Sequence, residues 1–357
     1  VKLPRAILRT GALEHNLRTV RRLAPQSRVM AVIKANAYGH DIVPTARALK
    51  DADAFAVARL EEALVLRAAG ITHRIVLLEG IFSESELQAA ARERLDIVVH
   101  DEAQLAMLQA WRGAERFAVW IKIDTGMNRL GFRPEEFRSA LSRLQKLASV
   151  GEMRLMTHLV AADERTNPLT LQQLHRFDEL TAGLSYERSI ANSAGLIAWP
   201  QTHQQWVRPG LMLYGISPFA DTTAASLDLR PVMSLTTELI ARRLVKAGES
   251  VGYAATWKAD RELPIGIIAA GYGDGYPRAV PSGTPVYIAG REVPIVGRVS
   301  MDMIAIDLTD VPDVKIGAKV VLWGDELPVE RIAACAGTIP YELVCGLSQR
   351  VAVCWET

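Results

Sequence analysis

The lysine in Val29-Met-Ala-Val-Ile-Lys34-Ala-Asn-Ala-Tyr-Gly-His40 is the first residue whose surroundings suggest chemistry. The apolar run Val29 to Ile33 reads as a strand buried on both faces. Lys34 leaves its end into a small-residue turn with Tyr38 and Gly39, and Asp41 can then cap the next helix. Desolvation at such a place favours the neutral amine, the form that condenses with an aldehyde. A lysine snorkelling out of a barrel end leaves the same local pattern. Other polar groups also follow apolar runs: Lys122 and Asp124 to Arg129, then His158, Asn192-Ser193 and Arg208-Pro209-Gly210. Each alone has a structural reading: a rim salt bridge for Arg208, a satisfied polar tip for His158, a helix cap for Ser193.

The elements that must position these residues alternate. Arg5 to Arg9 is strand-like, and Thr10 to Leu23 has helical apolar spacing at Leu13, Leu17, Val20 and Leu23. After the lysine strand, apolar runs recur at Phe55–Val57, Ile75–Leu78, Ile97–Val99, Phe117–Ile123, Met153–Met156, Ser189–Ala191 and Trp206–Val207. Helix starts lie between them: a capping box at Ser83-Glu-Ser-Glu86, Asp101 before a helical run, and Asn167 before Pro168. Eight strands with intervening helices predict a closed parallel (β/α)8 barrel of the TIM type. A doubly wound sheet is the rival, but Ala35 to Gly39 is not its glycine-rich turn. In a barrel, the polar groups above collect at the C-terminal rim, where barrel enzymes keep their chemistry.

From about Ile216 to Leu229 the chain is rich in Ser, Thr, Ala and Asp and reads as a linker. Beyond it β-type runs dominate, with a hairpin turn predicted at Ile288-Ala-Gly-Arg291. The expected organisation is a barrel domain over residues 1–226 and a mainly β domain over 227–357.

At 357 residues with a net charge of +1, the chain offers no electrostatic case for nucleic acid or an anionic membrane. No stretch could span a bilayer, the N-terminal Val1-Lys-Leu-Pro-Arg lacks an apolar leader, and a cytoplasmic enzyme is expected. Cys335, Cys345 and Cys354 fit no zinc or CxxC spacing and read as buried free thiols. His15, His40, His73, His100, His175 and His203 show no ligand spacing, so no metal is expected. Gly271-Tyr-Gly-Asp-Gly-Tyr276 is a glycine turn, not a dinucleotide fingerprint.

The Lys34 stretch resembles the pyridoxal-phosphate (PLP) lysine motif of bacterial alanine racemases. So, in the family's order, do Trp120-Ile-Lys-Ile-Asp-Thr-Gly-Met-Asn-Arg-Leu-Gly131, Thr157-His-Leu-Val-Ala-Ala-Asp163, Ala191-Asn-Ser-Ala194, Trp206-Val-Arg-Pro-Gly210, Val251-Gly-Tyr253, the GYGDGY run, Gly297-Arg-Val-Ser-Met-Asp302 and Ile339-Pro-Tyr-Glu342. The resemblance implies a PLP-dependent racemase interconverting L- and D-alanine, for peptidoglycan or for alanine metabolism, as a homodimer with shared active sites. It further implies that Lys34 holds PLP as a Schiff base. Ser193, the backbone N–H groups of Gly210 and Leu211, Tyr38 and Tyr341 would take the phosphate, and Arg208, backed by a hydrogen bond from His158, would face the pyridine nitrogen.

Racemisation needs proton transfer on both faces of Cα. By resemblance, Lys34 serves the D-enantiomer and Tyr253 of the partner subunit the L-enantiomer, with the His158–Arg208 pair easing the phenol's deprotonation. Arg129 would steer the substrate carboxylate or the PLP phenolic oxygen. The Met301 N–H of the second subunit would meet the carboxylate, and Lys122 would be carbamylated to pair with Arg129. Tyr272 and Arg278 would line the entrance. Ser300 stands where some relatives carry cysteine, and the tail around Arg350 is looser than usual. The family also implies that the first short strand returns to join the β-domain sheet. A PLP decarboxylase and a non-catalytic PLP-binding barrel protein are the competing readings. The first needs a cationic pocket for a long side chain, and the second lacks a β-domain with an opposing tyrosine.

Overall fold

The computed structural model describes residues 4–356, so Val1 to Leu3, part of the stretch read for a leader, lie outside the described residues. Strand β1 (Arg5–Arg9) precedes helix α1 (Thr10–Leu23). The next strands are β2 (Arg28–Val32), β3 (Ala54–Val57), β4 (Arg74–Leu77), β5 (Asp96–Val99), β6 (Phe117–Lys122), β7 (Val150–Met156), β8 (Glu187–Ser189) and β9 (Trp206–Val207). Strands β2 to β9 are all parallel and close into a barrel, sealed by Val29 pairing with Val207. Their residues are mostly buried because helices cover the outside, as parallel sheets require.

Helix starts follow the sequence where a side chain can reach back. Ser83 Oγ accepts from the Glu86 N–H at 3.2 Å, and Asp101 Oδ1 accepts from the Gln104 N–H at 2.9 Å. The Glu86 carboxylate closes its box on the N–H of Phe82, at 2.7 Å. On α1, Leu13, Leu17 and Val20 face the core, whereas Leu23, in the last turn, is exposed. Asn16 of α1 is fully buried. Its amide donates to the carbonyls of Leu213 and Arg230 and accepts from the Arg230 N–H, which ties α1 to the segment leaving the barrel.

The barrel floor is ionic, a feature the apolar runs did not reveal. Arg154 lies under Trp120 and Trp206, 5.3 and 5.9 Å from the ring centroids, and donates to Glu187 at 2.8 Å. Both indole N–H groups donate to carboxylates there, Trp120 to Asp96 and Trp206 to Glu187, each at 2.9 Å. With that end plugged, a cavity is left to the C-terminal rim.

The rest of the chain forms β10 (Met233–Val245), β11 (Ser250–Val251), β12 (Trp257–Lys258), β13 (Leu263–Ile268), β14 (Pro285–Ile288), β15 (Arg291–Val296), β16 (Ile304–Asp307), β17 (Lys319–Trp323) and β18 (Ala352–Glu356). The long β10 pairs with β1 and β17 through its first half and with β13 through its second, so β10, β13, β16, β15, β14 and β17 form a ring. The first strand does return to this sheet, between β10 and β18. The β14–β15 hairpin turns through Ala289 and Gly290, both left-handed at φ 51° and 83°.

Two expectations are corrected. The supposed linker is packed: Ile216, Phe219 and Leu229 are buried, and the Ser217 N–H donates to Glu330 at 2.8 Å. Its small polar residues serve turns that run over the core instead of a free tether. The cysteines are not buried. Cys345 and Cys354 are exposed and Cys335 is half-buried. Among the described residues, no helix is long and apolar enough to cross a membrane.

Candidate active site

A cavity of about 510 Å³ opens at the C-terminal ends of the barrel strands. Its wall contains Lys34, Tyr38, Lys122, Arg129, His158, Ser193, Arg208, Gly210, Leu211 and Tyr341, residues spread over 308 positions of sequence. Tyr253 and Met301 lie outside it, 67% and 52% exposed. Leu78, Glu79 and Cys345 also line it and were missed. The signals existed: Leu78-Glu79 follow the third barrel strand, and Cys345 lies one helical turn after Tyr341 on the helix Pro340–Cys345.

Lys34 lies two residues beyond β2 and is followed by a left-handed turn, with φ of 52°, 50°, 55° and 55° at Ala35, Asn36, Ala37 and Tyr38. Each non-glycine residue in that conformation costs about 1–2 kcal/mol, so surrounding bonds must hold the run. The Ala35 N–H donates to Glu62 at 2.6 Å, and the Ala37 N–H to the Ile33 carbonyl at 2.9 Å. Asp41 does not cap the following helix. Its own φ is 64°, and the Ile42 N–H instead donates to Asn36 Oδ1 at 2.9 Å. The left-handed turn brings Asn36 within reach and turns Asp41 away.

Arg208 is buried, and its guanidinium donates to Ser189 Oγ (2.7 Å) and to the carbonyls of Thr157 (2.6 Å) and Ile190 (3.2 Å). Burial lowers its pKa only to about 10, so it stays charged at neutral pH. The expected hydrogen bond from His158 is absent among the described contacts; carbonyls at the ends of β7 and β8 do that work. Burial first, then Arg208, Lys122, Arg129 and Lys34, push the His158 pKa well below the ordinary value. His158 is therefore a neutral ring, and the cationic character expected of the pair belongs to Arg208.

Ser193 Oγ accepts from the N–H groups of Gly210 (2.9 Å) and Met212 (3.3 Å). With its lone pairs engaged, its O–H remains a donor toward the cavity. Gly210 is required by space: a Cβ there would stand 2.5 Å from the Tyr38 hydroxyl. Tyr38 stacks on Tyr214 at 4.7 Å and meets Tyr341 at 5.8 Å. Burial raises the pKa of Tyr38, and that of Tyr341 to about 12, so both hydroxyls are protonated donors. These hydroxyls converge where an anion of phosphate type could be held.

Lys122 ends β6. Burial, then Arg208, Arg129 and Lys34, lower its pKa to about 8. Arg129 follows a turn in which Asp124 Oδ1 accepts three successive N–H groups, from Gly126, Met127 and Asn128, at 2.9, 2.9 and 3.1 Å.

Outside the cavity, β11 and β12 form a short hairpin whose tip holds Tyr253. It rests on a small cluster of its own, Val245, Val251, Ala259, Leu263, Ile265 and Val296. The glycine turn at Tyr272–Asp274 braces Met301, since the Gly273 N–H donates to the Met301 carbonyl at 2.9 Å. Arg350 has a defined place, with Nη2 2.6 Å from Asp302 and Nε 3.3 Å from Asp274.

Two family models match the chain: the alanine racemase N-terminal domain over residues 8–218 and the alanine racemase C-terminal domain over residues 232–355. The chain is 52% identical to an alanine racemase of Aeromonas hydrophila over 97% of both chains. It is 51% identical to a biosynthetic alanine racemase of Escherichia coli, again over 97% of both. The crystal structure of the biosynthetic alanine racemase from Pseudomonas aeruginosa superimposes with a TM-score of 0.97 at 45% identity and full coverage of both chains. Matched from end to end at such identities, the chain belongs to the alanine racemase family.

Proposed function

We propose that the chain racemises alanine with PLP held in the rim cavity, and that each site is completed by Tyr253 of a second copy. The observation that carries this is the split: a cationic, hydroxyl-lined cavity around Lys34, and a tyrosine standing exposed on a separate hairpin. The cavity fits the cofactor in volume and in donor set. Lys34 would attach it, and Ser193, Tyr38, Tyr341 and the loop at Gly210-Leu211 would hold its phosphate. Bound there, PLP supplies an electron sink that makes Cα acidic.

The side chains do the rest. Arg208 has donors only and keeps its charge, so a ring nitrogen placed against it would stay unprotonated, which would temper the electron sink and disfavour side reactions. Lys34 Nζ exchanges a proton on one face, for the D-enantiomer; the partner's Tyr253 hydroxyl does so on the other, for the L-enantiomer. Arg129, with the Met301 N–H of the second copy, would hold the substrate carboxylate.

Lys122 is the candidate for carbamylation. A pKa of about 8 leaves a share of neutral amine to add carbon dioxide at neutral pH. The product would be an anion beside Arg129. An intact mass showing a plain amine would remove this modification. The names of the E. coli and P. aeruginosa relatives favour a role in supplying D-alanine.

The function is tested by chromatography of D-alanine formed from L-alanine with added PLP. Wild type should approach equal enantiomers. Lys34→Ala should lose both turnover and cofactor absorbance, and Tyr253→Ala should lose most turnover with PLP still bound. Carbon dioxide release without enantiomer exchange would overturn the assignment.

A further inference from the structure

We infer that Glu62 is a positioning residue for Lys34, clamping the left-handed turn that aims the amine at the substrate. The inference deepens the reading of Lys34 as a proton-transfer group and rests on it. Glu62 is half-buried on the first turn of the helix Leu60–Ala68, which follows β3. Both carboxylate oxygens are taken by backbone N–H groups from two different loops. Oε1 accepts from Ala35 at 2.6 Å, while Oε2 accepts from Ala58 at 2.8 Å and from Arg59 at 3.3 Å.

The bonds from Ala58 and Arg59 would suffice to cap the helix. The short bond from Ala35 has no capping role. It crosses to the loop after the neighbouring strand and fixes the peptide plane joining Lys34 to Ala35. That peptide sets ψ of Lys34, and the next residue begins the run of positive φ. A turn that is intrinsically unfavourable needs such a tie to stay in register. Lys34 and Ala58 both line the cavity, so the clamp also fixes the spacing of its two walls there.

The chemistry of the clamp is specific. Glu62→Gln can keep its oxygen on the Ala58–Arg59 pair but then turns an NH2 group toward the Ala35 N–H, donor against donor. Glu62→Asp is one methylene too short to serve both loops. Each variant should keep the helix cap or the charge while releasing the turn. The expected loss in kcat/KM is about tenfold to a hundredfold, the scale of an ångström-level misplacement of a reacting group.

The deciding readout is the Cα-deuterium kinetic isotope effect on the PLP-loaded enzyme, measured from each enantiomer. Enantiomers are equally stable in water, so kcat/KM must fall equally in both directions and cannot locate the slowed step. The isotope effects can. If Lys34's transfer alone is slowed, the effect should rise from deuterated D-alanine and fall toward one from deuterated L-alanine, in both Glu62→Gln and Glu62→Asp. A cap-only role would lower thermal stability or folded yield and leave both isotope effects at wild-type values; that result, or kcat/KM within twofold of wild type, overturns the inference. A shift in the opposite sense keeps the clamp and reverses the faces assigned to Lys34 and Tyr253. Failure of the underlying reading shows elsewhere, as retained turnover in Lys34→Ala.

Discussion

His40 shows how far burial, without any charged partner, sets the chemistry of single residues in this molecule. Its Nδ1–H donates to the Tyr38 carbonyl at 2.8 Å, which fixes the neutral tautomer, and its ring meets Tyr214 at 4.6 Å. Burial lowers its pKa from 6.5 to about 4 despite those backbone bonds. The unfolded chain binds a proton near pH 6.5 and the folded chain does not until about pH 4, so between these values unfolding takes up a proton. Stability from this site is therefore complete above pH 6.5 and lost as pH falls toward 4, by roughly 3 kcal/mol in all. His40→Asn keeps a donor for Tyr38 and has nothing to protonate. Its unfolding free energy in urea should lose about one proton's worth of slope across that window, and an unchanged slope would refute the assignment. The sequence named His40 only as a histidine without ligand spacing. Its role depends on neighbours from Tyr214 to Val344, and no local pattern encodes those.

At the scale of elements, the barrel was legible because parallel strands buried on both faces are continuous apolar runs, and each rim residue followed one. The turn after Lys34 was legible only as a break. Its left-handed path depends on Glu62 and Asn36, and on Gly39, whose φ is 77° and where a Cβ would lie 2.0 Å from the Val344 carbonyl oxygen. The Asp41 cap was assigned by proximity in sequence and the His158 bond by family resemblance, and neither carries the geometry by which Asn36 and the Thr157 carbonyl reach their partners. Gly39 packs against the short helix that carries Tyr341 and Cys345, so the turn and the tyrosine-lined side of the cavity are one assembly. Gly39→Ala should cost roughly 2–4 kcal/mol in unfolding free energy, from a forced positive φ plus an overpacked contact. It should also weaken PLP retention on dialysis more than a surface substitution of equal cost. Stability loss with undiminished retention would mean that turn and helix adjust independently.

At the scale of the whole molecule, the barrel and the larger sheet share one hydrophobic core, whereas the hairpin bearing Tyr253 stands on its own small cluster. Tyr253, two-thirds exposed on such a support, does not line the cavity of its own chain, and under the proposed function a second copy would use it. Symmetry makes the idea arithmetical. In a two-fold dimer each site would take Lys34 from one subunit and Tyr253 from the other. Co-expressing Lys34→Ala with Tyr253→Ala puts both lesions into one site of the heterodimer and leaves the other intact. Random pairing then gives half heterodimers with one working site each, or about a quarter of wild-type activity from two inactive parents. If both groups came from the same chain, every site in every combination would carry one lesion and mixing would restore nothing. Tagging the two chains differently and purifying the heterodimer sharpens the contrast to half activity against none. Recovery at that level, with PLP bound at only one lysine per dimer, is the expected result.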